Sequence, residues 1–587
     1  MKNLLTAFAA LLSMVLHSDV SQSQWSSNPQ LNLKICDINN AQLLPKVAAT
    51  SDGGCFISWF DGRAGSLRVY IQRLNAQGAK QFAEDGLLVS SNPQNGYIGE
   101  YDLKVDAGDN AILVFSDIRN STDTISNPFA YKISSTGQFL WGANGVTLTN
   151  QVTKYQVWPK VAPLSDGSYA IVWWFINNSE KNSWFTMQRL SSSGVPQFTS
   201  PIDVKDPGNK RYQYPDVVAA ENGNYIVSWV YGPKDTVGSF VPDNVSIFSM
   251  KYNSTGSPIW NSMATVYTNT GNHVPIYCVP KIYSDGNGGA LYSYFTAENN
   301  VLYARAHRFN SAGQALFPAN GAEGSTNNLF FHVDPYIAYM NQTNETYMYW
   351  IEADAATQDN QGVFGQAFSP TGTRLWGNNG KEFSALDTFA IFGVTCHAKD
   401  TNVVVIFTKS AVLNASVYGF RAGRSGQFIW NAPGIVPVSN AAGPKAGAVT
   451  AMTNTGMTAG AWLDGRNSTL FGDGGIYAQN LNYNGSIGPV GINQISTMLP
   501  GKFTLSQNYP NPFNGQTIIE FAILQSGVAS LEIFDMLGRR ISNPVNEYLN
   551  HGTYSYRFTS GNLPSGVYLY RLKSAGNEMT KNFMILK

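Results

Sequence analysis
The stretch LPKVAATSDGGCFISWFDGRAGSLRVYIQRLNAQG, residues 44–78, joins strand-like segments by tight turns and recurs, degenerately, to about residue 488. Pro45 to Ala49 is a short apolar run. Ser51-Asp52-Gly53-Gly54 is turn chemistry, in which glycine supplies positive φ and aspartate bonds its own backbone. Phe56, Ser58 and Phe60 then alternate with Ile57 and Trp59 at the period of two that sends side chains to opposite faces of a strand. Asp61-Gly62-Arg63 turns the chain into another strand, Val69 to Leu74, and Asn75 to Gly78 closes the unit.

The terminal glycine measures the repeat. It returns as Gly78, Gly137, Gly194, Gly256, Gly313, Gly372, Gly426 and Gly485, eight copies with a mean period of about 58 residues. Upstream of it an aromatic-ended strand recurs as AILVFSD, YAIVWW, YIVSWV, ALYSYF, TYMYWIE, VVVIFT and TAGAWLD. Downstream, five copies carry a hydrophobic pair: Leu140-Trp141, Ile259-Trp260, Leu316-Phe317, Leu375-Trp376 and Ile429-Trp430. A fourth short strand such as GVTLTN or GIVPVSN completes a copy. Four short strands per copy predict an all-β fold over residues 24–488, an eight-bladed β-propeller of four-stranded blades. The last copy stops at Gly488 without its fourth strand, and LNLKICDINNAQLLPK near the N-terminus reads as that missing strand. Residues 31–36 are therefore expected to complete the last blade and remove an exposed sheet edge. A mobile leader over residues 24–43 is the competing reading.

Charged residues make up only 13% of the 587-residue chain while aromatics also reach 13%, a balance that suits a turn-rich all-β protein better than a helical or disordered one. Lys+Arg equals Asp+Glu at 38 each, so net charge supplies no attraction to nucleic acid or to an anionic membrane. Met1-Lys2-Asn3, an apolar run from Leu4 to Leu16 and the polar SDVSQSQ segment have the form of a secretory signal peptide, residues 1–23, cleaved before Gln24. The run is short for a bilayer span, and no transmembrane segment is expected after its removal. Cys36, Cys55, Cys278 and Cys396 fall on separate blades, too far apart for a disulfide, and are expected as free, mostly buried thiols.

After Gly488 the repeat is lost, and residues 489–502, with GINQISTMLPGK, read as a linker. Alternation in Thr517 to Ile523, Ala529 to Asp535, Tyr554 to Phe558 and Val567 to Leu572 predicts a small Ig-like β-sandwich over residues 503–587. Three motifs stand out: Tyr509-Pro510-Asn511-Pro512-Phe513-Asn514, Ile533-Phe534-Asp535-Met536-Leu537-Gly538-Arg539 and Leu563-Pro564-Ser565-Gly566-Val567-Tyr568, followed by Lys581. In these residues the segment resembles the type A C-terminal sorting domain of the type IX secretion system of Bacteroidota and related bacteria. The resemblance implies Sec export through the periplasm, the outer-membrane type IX machinery as partner, and an extracellular or outer-membrane-surface location. Gly515 stands where many members carry Pro and is expected to loosen the turn without abolishing recognition. An ordinary Ig-like ligand-binding module is the alternative for this segment. The upstream copies also resemble degenerate repeats that often precede such sorting domains, a likeness that carries no established chemistry.

Six histidines, His17, His273, His307, His332, His397 and His551, show no metal-ligand spacing, and no Cys pair has zinc spacing; neither a metal nor a cofactor is expected. No nucleophile elbow, phosphate loop or dinucleotide fingerprint appears. Asp61/Arg63, Asp117/Arg119 and Asp464/Arg466 recur at one position of the copy. That recurrence argues for an ion pair holding a turn, against a catalytic acid with its charge stabiliser. A carboxylate pair for glycoside hydrolysis is defined by separation in space and stays open at this stage.

The candidate ligand-binding residues are aromatics on the loops that join one blade's fourth strand to the next blade's first: Tyr97, Tyr101, Tyr155, Trp158, Tyr212, Tyr214, Tyr277 and Tyr336. Such side chains on a rim can stack on sugar rings or anchor a protein partner, and filling gaps between blades is their alternative role. Tyr231 to Asn244, in the fourth blade, is the longest loop between a second and a third strand and a candidate elaboration. The expected function is that of an exported, non-catalytic protein binding glycan or a surface protein. A secreted hydrolase or lyase acting on carbohydrate, built on a propeller, is the alternative, and a passive surface component a third.

Overall fold
The computed structural model describes residues 24–94, 100–119, 125–150, 154–177, 182–208, 210–232, 246–268, 273–275, 278–411, 413–468, 473–489, 492–496, 498–560 and 563–587. Within them the chain is all-β, without an α-helix, and its strands assemble into ten four-stranded antiparallel sheets. Among the described residues no helix is long and apolar enough to cross a membrane. The chain divides into two compact units, Pro29–Asn75 with Gln81–Ile487, and Gly488–Lys587 with the stretch ending at Asn28 and Ala76–Lys80.

The larger unit is a propeller-like array. Its first sheet runs Gln42–Ala49, Cys55–Asp61, Arg68–Leu74 and Leu87–Ser90. Sheets two to seven open on Asp102–Val105, Tyr155–Pro163, Arg211–Ala219, Lys281–Ser284, Phe330–Met340 and Ala390–Lys399, each followed in order by three more strands. The eighth has only three consecutive strands, Val449–Met452, Thr458–Asp464 and Gly475–Leu481. Leu33–Cys36 pairs with the last of these, Leu33 opposite Ala478, and is its fourth strand. Several successive sheets touch through their opening strands, and Val449–Met452 contacts Gln42–Ala49, so the series returns on itself. The second strands are buried over most of their length, CFISWFD at every residue, because neighbouring sheets cover both faces. Trp59, Trp173, Trp229, Trp350 and Trp462 are fully buried there.

The ruler glycines have a packing role. All eight adopt positive φ, between 77° and 91°. Seven of them lie under an aromatic ring of the preceding copy: Phe82 on Gly137, Trp141 on Gly194, Phe198 on Gly256, Trp260 on Gly313, Phe317 on Gly372, Trp376 on Gly426 and Trp430 on Gly485. A Cβ at these glycines would stand 2.5–3.2 Å from a neighbouring heavy atom. The indole N–H groups complete the contact by donating to the carbonyl two residues before the glycine, as from Trp260 to Ser311 at 2.9 Å. In the other unit Trp25 packs on Gly78 and donates to Ala76 O at 3.1 Å in the same way.

Five opening strands share a bulge. Register slips between Leu43 and Lys46, Val157 and Lys160, Gln213 and Asp216, Val333 and Tyr336, and Phe392 and Thr395. The first bulged residue is left-handed in every case: Leu44, Trp158, Tyr214, Asp334 and Gly393 have φ of 48–59°. Proline follows in four of the five, at a position where the ladder asks for no N–H. This corrects the sequence reading of Tyr155, Trp158, Tyr212, Tyr214 and Tyr336 as residues of entering loops. X-Pro looks like a strand boundary, but here the strand continues through the bulge.

The smaller unit holds two sheets. One is Ile492–Ser496, Gly552–Thr559, Gln516–Ile523 and Thr504–Leu505; the other is Arg540–Leu549, Gly527–Phe534, Gly566–Ser574 and Asn577–Ile585. Ile492–Ser496, inside the stretch read as linker, is therefore a strand. Leu505, Phe521, Leu531, Tyr570 and Ile585 lie in its core. Gly515 has φ of +85°, closed to proline, and its carbonyl accepts from Ser560 N at 2.8 Å. The turn is built around glycine, not loosened by it.

Candidate functional site
Of the predicted aromatics, Tyr97 and Tyr277 lie outside the described residues, as do residues 233–244 of the long loop. Tyr101 and Tyr212 are buried, 0% and 4% exposed, which corrects their reading as rim residues. Tyr101 is packed on Phe60, donates to Leu44 O at 2.8 Å and accepts from Ser58. Its hydroxyl has protein partners on both sides, so no ligand is needed to satisfy it. Trp158 and Tyr214 come together at 5.2 Å, and Trp174 covers Tyr214 from 5.1 Å, so these rings pack on one another. Tyr155 and Tyr336 are half-buried.

The recurrent Asp/Arg pairs are structural. Asp61 Oδ1 accepts from Arg63 N and Nε, both at 2.9 Å, and Asp61 Oδ2 accepts from Arg63 Nη2 and from Trp59 Nε1 at 2.8 Å. Asp464 repeats the arrangement with Arg466 and Trp462. Arg63 also lies over the Tyr70 ring at 4.0 Å. Sheet six departs from the pattern. Trp350 donates to Glu352 at 2.8 Å, and His332, 3.4 Å away, replaces the arginine. Burial pushes the Glu352 carboxyl up to about 7 and holds His332 down to about 4.

Polar links join the opening strands. Glu100 accepts from Lys46 at 2.7 Å and Lys160 at 2.6 Å, tying sheets one and three across sheet two. Burial opposes its ionisation, yet Lys160 and Lys46 hold Glu100 down to about 2. Asp216, close to Lys160, is pushed up by burial against the pull of Lys160 and Lys104. Lys281 donates to Asp334 at 2.8 Å between sheets five and six. In sheets seven and eight the charges give way to a neutral chain. Thr395 donates to Ile406 O at 3.4 Å, Thr450 donates to Thr395 at 2.8 Å, and His397 Nε2 meets Thr450 at 2.8 Å.

Beside that chain lies a cavity of about 660 Å³, between the ends of the opening strands of sheets five to eight. Tyr283, Tyr336 and Tyr339 form its aromatic wall, and Leu291, Ala338 and Met452 its apolar surface. Tyr283 and Tyr336 meet edge to face at 5.5 Å. Ser284, Asn341 and Asn454 supply hydroxyl and amide groups at exposed positions. Asp285 is the carboxylate of the lining, and its turn occupies it: Oδ1 accepts from Asn287 N and Gly289 N, both at 2.8 Å. Arg308 stands 3.5 Å from its other oxygen. Lys399 donates to Asn454 O at 2.9 Å. Burial keeps His397 down to about 4, and therefore neutral at ordinary pH. The sequence marked Tyr336 alone of these residues, since the others come from four copies and share no motif.

The sorting motifs converge in the smaller unit. Phe513 is buried against Phe583 at 5.5 Å, and Tyr568 stacks on Phe583 at 5.6 Å while donating to Pro564 O. Asn511 Oδ1 accepts from Met584 N at 2.9 Å, and Pro510 O accepts from Thr517 at 2.7 Å. Pro512 and Asn514 flank Phe513 at exposed positions, Lys581 pairs with Tyr570 in register, and Gly566 opens its strand opposite Ile585. Gly538 takes φ of +75° in the exposed turn closed by Asp535 and Arg539.

No curated protein sequence matches the chain. Among solved structures, a PL25 ulvan lyase bound to a GlcA(1-4)Rha3S saccharide is 11% identical with a TM-score of 0.37, over 70% of this chain and 95% of that one. The GH93 α-L-arabinofuranosidase of Fusarium graminearum with arabinobiose is 13% identical with a TM-score of 0.31, over 55% and 92%. A protein of unknown function from Dyadobacter fermentans is 8% identical with a TM-score of 0.29, over 66% and 94%. Residues 507–586 match the model of the secretion system C-terminal sorting domain. That segment therefore belongs to the type IX secretion sorting-domain family, and the protein it carries is exported to the cell surface or the extracellular space.

Proposed function
We propose that this exported protein is a non-catalytic glycan binder. In this reading the eight sheets are the blades of a closed β-propeller spanning residues 24–488, and residues 503–587 are an Ig-like sandwich presented to the outer-membrane type IX machinery. The cavity beside Tyr336 holds the ligand. The observation that carries the reading is the composition of that cavity: tyrosine rings and apolar carbons for a sugar's hydrophobic face, with amide and hydroxyl groups for its edges. Its carboxylate, Asp285, is committed to its own turn, so the lining favours holding a saccharide over protonating one.

The second reading, a carbohydrate-active enzyme, is favoured by a different observation. Asp216 is pushed up by burial while Glu100, bound to the neighbouring Lys160, is held down to about 2. Two carboxyl groups driven apart in this way are what acid and base roles require.

Glycan-array binding of the full chain, beside a Tyr336→Ala variant, tests the proposal. Binding by the native chain that falls about tenfold or more in the variant supports the cavity. Unchanged binding by the variant removes it, and release of reducing ends from a bound glycan replaces it with the enzyme reading.

A further inference from the structure
Resting on the cavity reading above, the geometry points to an acidic saccharide as the ligand, its carboxylate or sulfate on Lys399 and a ring hydroxyl on His397 Nδ1. The first ground is charge. Asp285 is neutralised in place by two backbone N–H groups and by Arg308 at 3.5 Å. Lys399, half-buried in the same lining, has no carboxylate within 4.0 Å among the described residues. Its ammonium gives one N–H to Asn454 O at 2.9 Å and keeps two donors. The cavity thus presents an uncompensated positive charge beside hydroxyl and amide groups, a match for an anionic sugar.

The second ground is the tautomer of His397. The carbonyl of Ile406 can only accept, so Thr395 donates to it and must accept from Thr450. The Thr450 hydroxyl, its proton spent, accepts from His397 Nε2–H at 2.8 Å. That assignment leaves Nδ1 as a fixed acceptor on a residue lining the cavity. A neutral acceptor next to a cation distinguishes a sugar acid, which brings both an anion and a hydroxyl donor, from a simple inorganic anion.

The test is titration of the full-length protein with oligogalacturonate, a sulfated dextran oligosaccharide, and uncharged dextran and arabinan oligosaccharides. Lys399→Gln and Lys399→Arg variants are titrated alongside, with equal melting temperatures as the control for folding. An acidic arm is expected to bind, with affinity lowered about tenfold or more in Lys399→Gln and largely kept in Lys399→Arg. Whichever acidic arm binds identifies carboxylate or sulfate as the partner of Lys399. Uncharged oligosaccharides binding as tightly as acidic ones, or Lys399→Gln leaving acidic binding intact, overturns this inference while the cavity reading stands. If none of the four binds, this inference falls, and the cavity reading is then decided by the wider glycan array.

Discussion
Trp430 lies flat on Gly485: a Cβ at that glycine would stand 2.8 Å from the indole, whose N–H donates to Tyr483 O at 3.2 Å. The relation joins one copy to the next. A ring over the next copy's glycine recurs from Gly137 to Gly485, with phenylalanine in place of tryptophan three times, which explains why glycine, and not merely a turn-former, marks the period.

Substitution at this seam separates backbone strain from packing. Gly313→Ala must place a Cβ 2.7 Å from Trp260 at φ +78°, whereas Gly167→Ala meets open space at φ +81°. The first is expected to lower stability by about 2–4 kcal/mol and the second by about 1–2 kcal/mol. Urea unfolding of the two variants measures the difference; equal losses would mean that the aromatic seam contributes nothing.

The buried Asp464 should be structural and costly to remove. Asp464→Asn leaves Arg466 and the fully buried Lys445, 3.7 Å from Asp464, without their counter-charge. A loss of about 3–5 kcal/mol is expected. The same unfolding assay checks it, and a loss under about 1 kcal/mol would return the recurrent pairs to the list of functional candidates.

Stability should fall in mild acid. Burial holds His307 and His332 down to about 4 in the folded chain against an ordinary value of 6.5. Between those values the unfolded chain binds more protons, so stability present above pH 6.5 is lost as pH falls toward 4. Glu352 works with the opposite sign. Raised by burial to about 7, it contributes below its ordinary 4.5 and loses that contribution as pH rises through 7. His307→Gln is therefore expected to flatten the acid wing of a plot of urea midpoint against pH. Glu352→Gln is expected to gain on the native chain between pH 5 and pH 8, by about 2–3 kcal/mol. Parallel curves for the native and variant chains would contradict both assignments.

Export gives a prediction with an unusual direction. Gly515→Pro restores the residue common in the family but cannot adopt φ +85°, so it is expected to destabilise the sorting unit and reduce the protein outside the cell. Deletion of residues 503–587 is expected to abolish external protein. Fractionation with immunodetection reads both, and a Gly515→Pro chain exported above the native level would contradict the turn geometry.

The repeat, the sorting motifs and the closing strand were legible because each is local: a glycine at a fixed interval, a run of prolines, a strand without partners in its own copy. Trp59 and Asp61/Arg63 could be read as scaffold from recurrence alone. The seam was half legible, since Ile259-Trp260 is visible in sequence but its partner, Gly313, belongs to the next copy. Trp158-Pro159 and Tyr214-Pro215 misled for a physical reason, as a bulge lets proline stay inside a strand. The cavity was invisible because Asp285, Tyr336, His397 and Asn454 come from four different copies, and only the packing of four successive sheets brings them to one place.

The most direct test of the account is a crystal structure of the full chain with the tightest ligand from the glycan array. The account predicts a saccharide against Tyr336, within hydrogen-bond distance of His397 Nδ1 and Lys399 Nζ, with its glycosidic bonds intact. A saccharide bound at the Trp158–Tyr214 cluster, or cleaved beside Asp216, would contradict it.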